Sequence, residues 1–161
     1  MNHELTKDFI NAHLNDDVNK LALSKFPDDI DKQFVIRQIQ ARQLLKKKLP
    51  SWSENDELLF PKRLSLEQCS SELTAKYKRA ISRKVTESQS RDASMAPAIK
   101  HIDTSLHRIL VDLTGGMGVD TSFLSDNFDE TIYVEAQEEL CELAEHNFKV
   151  LKKNIKVVNA K

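Results

Sequence analysis

A chain of 161 residues with 24 Lys and Arg, 25 Asp and Glu and a net charge of −1 has the size of one or two globular domains. Its 40% hydrophobic and 30% charged content excludes a disordered polyelectrolyte, and its longest apolar run falls far short of the roughly 20 residues of a membrane span. Cys69 and Cys141 are too few and too distant for a disulfide framework or a zinc site, and Met1-Asn2-His3-Glu4-Leu5-Thr6 lacks the basic-then-apolar order of a secretory signal, so a reducing cytoplasm is the expected compartment.

The front of the chain reads as helical. Thr6 is placed to cap a segment to about Leu14, and Asp16 and Asp17 a second one through Val18, Leu21, Ala22 and Leu23 that stops before Pro27. Asp28 and Asp29 open a longer helix to about Lys48, closed by Pro50, with Lys46, Lys47 and Lys48 in its last turn, where cations suit the helix dipole. Residues 50–64 read as a loop in which Trp52 packs between elements. Ser65 and Gln68 form a capping box, and Leu66, Cys69, Leu73, Tyr77 and Ala80 follow at helical spacing, which makes Cys69 a small buried thiol. The pattern then fades, so the expected organisation is a helical domain over 1–84, a linker over 85–106 and a second domain over 107–161.

Charge divides the chain at the same place. Basic residues dominate from Lys32 to Lys84, including Arg37, Arg42, Lys46 to Lys48, Lys62, Arg63, Lys76, Lys78, Arg79 and Arg83, whereas from Asp103 to Asn147 the only Lys or Arg is Arg108. The basic front suits a polyanion such as RNA, or else consists of solvated helix faces.

The back alternates strand and helix, as a parallel sheet demands: a strand at Ile109 to Leu113, a helix through Thr121 to Ser125, a strand at Thr131 to Glu135, a helix carrying Leu140, Cys141, Ala144 and Phe148, and a strand at Ile155 to Val158. All three glycines lie in Thr114-Gly115-Gly116-Met117-Gly118, between the first strand and its helix. Such a turn brings backbone N–H groups and a helix N-terminus to a ligand. A dinucleotide fingerprint starting at Gly116 needs glycine at position 121, where Thr121 stands, which disfavours a nucleotide-cofactor oxidoreductase.

Asp112 before this turn and Glu135 closing the next strand resemble motifs I and II of the class I S-adenosylmethionine (SAM) methyltransferases, with Thr114 where many members have their first glycine. Phe60-Pro61, Leu64 to Glu72, Thr74-Ala75, Tyr77-Lys78 and Asp112 to Thr121 are similar to the front of bacterial SAM-dependent methyltransferases that continue into a THUMP-like domain. The glycine segment is also similar to that of trimethylguanosine synthase, an RNA cap methylase. The resemblance implies an α/β fold, with the amino-terminal helical domain followed by the first half (β-α-β-α-β) of a Rossmann-like methyltransferase domain, SAM as donor and RNA as acceptor. It further implies that Gly115, Gly116 and Gly118, between Thr114 and Thr121, pass close to the methionine part of SAM, that Asp112 reaches its amino group, that Glu135 accepts both ribose hydroxyls, that Asp120 faces the ligand, and that Asn159 and Ala160 lie at the adenine. Plainer alternatives are a tight turn, an Asp112 that orders the loop, a Glu135 that serves a helix N-terminus and an Asp120 that caps one.

Three parallel strands joined by right-handed crossovers lie in the order three, two, one, leaving the glycine-bearing strand at an edge. That edge suggests an amino-terminal fragment of a longer enzyme, with catalytic residues beyond Lys161 and the fragment inactive alone; otherwise the front helices or self-association with a second copy cover it. His101, His107 and His146 have no metal-ligand spacing, and no Ser-His-Asp set is recognisable. A non-catalytic module that binds RNA or a protein is the alternative from another class.

Overall fold

The computed structural model describes residues 3–92 and 107–160, which form two compact units, Met1–Glu72 and Leu73–Lys161. The first unit contains α1 (His3–Ala12), α2 (Val18–Leu23), α3 (Lys32–Leu45), α4 (Pro50–Ser53) and α5 (Arg63–Gln68). Asp17 caps α2 by accepting from the Asn19 and Lys20 amides, and Asp31 caps α3 by accepting from the Phe34 amide at 3.1 Å. Asp31 therefore takes the place expected for Asp28 and Asp29. Thr6 lies inside α1, buried, rather than at its cap. Around Ile10, Leu21, Ile30, Val35 and Ile39 helices α1, α2 and α3 close a core, with Phe9, Phe26 and Phe34 packed against it.

Two differences from the expected helices have local causes. α3 stops at Leu45, short of the three lysines, and Lys48 turns to donate to the Leu66 and Glu67 carbonyls at 3.0 and 2.7 Å, the end of α5, where a cation satisfies orphan acceptors. Pro50 opens α4 instead of only ending α3, since a first helical position needs no N–H. Trp52 is buried, as expected.

The single helix expected after Ser65 is two. Cys69 is extended (ψ 155°) at the end of α5, half-buried, and its thiol bonds the Leu66 carbonyl at 3.1 Å. α6 (Glu72–Asp92) starts afresh, so the expected stripe is split and loses phase: Leu66 is buried, while Leu73 and Tyr77 are 81% and 67% exposed. α6 also continues to Asp92, through the first part of the stretch expected as a linker; residues 93–106, and His101 with them, lie outside the described residues.

In the second unit, β1 (Ile109–Asp112), α7 (Val119–Leu124), a 3-10 turn (Ser125–Asn127), β2 (Glu130–Glu135), α8 (Glu138–Val150) and β3 (Lys156–Asn159) follow α6. The strands form a parallel sheet in the order β1-β2-β3, the arrangement the two crossovers predict. Pairs Asp112↔Tyr133 and Glu135↔Asn159 in the register put Asp112, Glu135 and Asn159 at the carboxyl ends of the strands and on one face. Tyr133, Cys141, Ala144 and Phe148 make the core between that face and α8. On the other face Ile109 and Val111 of the edge strand are about half exposed. Among the described residues no helix is long and apolar enough to cross a membrane.

Candidate functional site

The glycine turn is held by side chains from both strands beneath it. Asp112, the last residue of β1, accepts from the Thr114 amide at 3.1 Å and from the Thr121 hydroxyl at 2.5 Å, tying the strand end to the first turn of α7. Glu135, the last residue of β2, accepts from the Gly116 amide at 2.9 Å through one oxygen and from the Gln137 amide at 2.9 Å through the other. Tyr133 donates its hydroxyl to the Gly116 carbonyl at 2.6 Å. Burial, and then the neighbouring Glu135, Cys141 and Asp112, push the Tyr133 phenol far above its ordinary pKa, so it remains a donor at any physiological pH.

The three glycines are there for different reasons. At Gly115 a Cβ would lie 2.1 Å from the Tyr133 ring, so the residue is small to admit that ring. Gly118 has φ +78°, and a Cβ there would come within 2.7 Å of Phe148, so both backbone and packing demand glycine. Gly116 has φ +53°, yet the nearest atom to its absent Cβ is the Thr114 carbonyl oxygen at 3.8 Å. Gly116 is therefore the point where the turn opens outward.

The expectation that the turn offers free N–H groups holds only in part, because four of its amides are already engaged. Thr114 donates to Asp112, Gly115 to the Val134 carbonyl at 3.0 Å, Gly116 to Glu135 and Gly118 to the Gly115 carbonyl at 2.8 Å. A phosphate nest needs such amides unengaged. What surrounds the turn instead is acid: Asp112, Glu135 and Asp120, the last held by Lys78 from α6 at 2.6 Å. Gly118, not Asp120, is the cap of α7, which corrects the capping reading of Asp120. Glu135 uses one acceptor position on each oxygen, and a carboxylate has about four, so both oxygens can still accept from a ligand hydroxyl.

Neither a protein-family model nor a curated protein matches the sequence. In fold it is similar to the crystal structure of a "putative methyltransferase" from Porphyromonas gingivalis W83, with a TM-score of 0.67 and 28% identity over 96% of this chain and 33% of that one. The two share an α/β fold. This chain spans about a third of the length of that protein.

Of the residues singled out in the sequence, Asp112, Thr114, Gly115, Gly116, Gly118 and Glu135 come together in one hydrogen-bonded turn. Thr121 is fully buried and holds Asp112 from below. Asn159 and Ala160 are exposed beside Glu135: the Ala160 amide donates to the Glu135 carbonyl at 3.1 Å, and the Asn159 amide group lies 3.4 Å from both the Ala136 carbonyl and the Cys141 sulfur. Sequence reasoning missed Tyr133 and Lys78. Tyr133 read as one more apolar strand residue, and Lys78 meets Asp120 across 42 positions, a separation no local pattern reveals. Among the described residues no three His, Cys, Asp or Glu side chains are grouped to hold a metal ion.

Proposed function

We propose that this chain forms the donor-binding part of a SAM-dependent methyltransferase, acting on RNA in a reducing cytoplasm. The observation that carries the reading is a turn rimmed by carboxylate, with the Thr114, Gly115, Gly116 and Gly118 amides engaged internally. A pyrophosphate placed there meets negative charge and few donors, whereas a ligand with an ammonium, a sulfonium and two ribose hydroxyls meets acceptors. The P. gingivalis protein described as a putative methyltransferase supports the same class.

The residues fit such a donor. Gly116 leaves room for backbone contact, the second lone pairs of Glu135 would accept the two ribose hydroxyls, Asp112 would stabilise the cationic amino group, and Asn159 and Ala160, exposed beside Glu135, would take the adenine. Thr114 opens the turn and Asp120 follows it in the first turn of α7, while Thr121 keeps Asp112 oriented. SAM supplies a methyl group on sulfur for in-line displacement, and the protein's share of that chemistry is to hold donor and acceptor in line.

Calorimetric titration of the full chain with SAM and, side by side, NADH tests this reading. SAM binds, Glu135→Gln weakens it by roughly tenfold because a neutral amide accepts less strongly from two hydroxyls, and NADH gives no heat. Binding of NADH without SAM overturns the proposal in favour of a dinucleotide enzyme.

A further inference from the structure

The geometry points to a phosphate track for RNA in the groove between α6 and the 3-10 turn. The groove has a volume of about 750 Å³, and Lys76, Arg79, Arg83 and Lys84 of α6 face Asp126 and Asn127 across it. Positions 76, 79 and 83 recur at three- and four-residue steps, so they lie along one side of the helix, and the four cations cover about 12 Å at ~1.5 Å per residue. The walls are fixed to one another. Asn127 donates to the Arg79 carbonyl and lies against the Ser82 hydroxyl, both at 2.7 Å, and Arg79 is 3.0 Å from Asp126.

Asp126 is the one acid in this lining and is shared between Arg79 and Lys153, so the lining itself carries four cations against one carboxylate. That row of cations stands out against the acidic stretch from Asp103 to Asn147. An RNA is therefore repelled from the carboxylate rim of the glycine turn and drawn to α6, while the Lys78–Asp120 pair ties α6 to α7 beside that turn. The lining is charged or small, without the apolar anchor pockets that make a peptide bind well, and a row of cations matches the repeating charge of a phosphate backbone.

Part of the basic run in the first unit does not compete for this role. Arg42 is buried, Lys48 closes the end of α5, and Arg63 pairs with Glu67 at 2.7 Å.

The choice of RNA rests on the proposed methyltransferase reading, so the test separates the two. Fluorescence anisotropy with a fluorescein-labelled RNA hairpin of mixed sequence is measured against salt for the full chain, for R83E/K84E in the groove and for K46E/K47E, the same charge change on exposed lysines of the first unit. Arg79 is left in place because its pair with Asp126 is structural. R83E/K84E weakens binding by roughly tenfold or more at low salt and lowers the log-log salt slope by about 1.4 to 1.8, two contacts at ~0.7 (loop) to ~0.9 (stem) each, whereas K46E/K47E and the charge-preserving R83K/K84R change affinity less than about threefold. An unchanged thermal unfolding midpoint by circular dichroism shows that R83E/K84E is folded. Equal losses from the two charge reversals, or no RNA binding by the full chain, overturn the track, and a peptide partner then has to be sought. RNA binding through the groove without any SAM binding leaves the track standing and sinks the methyltransferase reading.

Discussion

The two units use the same means to hold a loop, with opposite results. In the first, Gln38 on α3 clasps the Phe60 backbone, donating to its carbonyl at 3.0 Å and accepting from its amide at 3.1 Å, while Arg42 one turn later donates to the Asp56 and Leu58 carbonyls at 3.2 and 2.9 Å. In the second, Asp112, Tyr133 and Glu135 hold the glycine turn. Gln38 is 0% and Arg42 5% exposed, and the arginine lies over the Phe60 ring at 4.9 Å, so that network is closed. Asp112 and Glu135 are half-buried and keep acceptor capacity toward solvent. Burial, more than residue type, separates a polar cluster that only builds from one that can also bind. The cost of sealing a charge is visible in Arg42, whose pKa burial lowers to about 10.

The sharpest way to break this contrast is Arg42→Ala. It leaves the Asp56 and Leu58 carbonyls without their donor and opens space under Phe60, and we expect a loss of about 4 kcal/mol in urea unfolding at ~1–3 kcal/mol per orphaned group, with no change in SAM affinity. A variant that loses SAM binding while still folded would place a ligand in the first unit.

Next in size is a matched pair in the turn. Gly115→Ala drives a methyl into the Tyr133 ring and should cost about 3 kcal/mol of stability, as overpacking does. Gly116→Ala has open space, so only its left-handed backbone resists, at about 1 kcal/mol. SAM affinity should rank the other way, with Gly116→Ala folded but binding at least tenfold more weakly. If both variants bind SAM as the parent does, the turn is a packing feature and the donor site is elsewhere.

Much of the second unit was legible in the sequence because its signals are local: an apolar run, clustered glycines, an acid at each strand end, and crossovers that fix strand order. Asp112 and Glu135 could be picked out on that basis. Their engagement with the turn's own amides could not, since it depends on β1 and β2 being adjacent. The first unit was harder. Arg42 belongs to a basic run that suits a polyanion or else solvated helix faces, and only tertiary burial makes it, with Gln38, the clasp of residues 56–60. The capping box at Ser65 was misleading for a related reason. Its apolar stripe continued past Cys69, but hydrogen bonding there, including Lys48 at the end of α5 and the Glu72 amide to the Lys48 carbonyl at 2.8 Å, favours a break over one continuous helix.

The smallest expected effect lies at the amino ends of β1 and β2, away from the site, where an exposed clasp can be set against the buried one. Asp129 accepts from the Arg108 amide at 2.8 Å and from its guanidinium at 3.3 Å, while the Asp129 and Glu130 amides donate back to the Arg108 carbonyl. The amide, and then the side-chain hydrogen bond, hold the Asp129 carboxyl below its ordinary pKa. A carboxyl with a depressed pKa in the folded chain stabilises it above its unfolded pKa of about 3.9, and that contribution fades as pH falls through the folded value. Asp129→Asn should therefore be slightly less stable than the parent near neutral pH, and the two urea midpoints should converge below about pH 4. Because this carboxylate faces water, its difference should be far smaller than that of Arg42→Ala and should shrink with added salt. A gap that persists unchanged into acid would mean that the clasp acts through shape and not charge, and the contrast between open and closed networks would lose its electrostatic half.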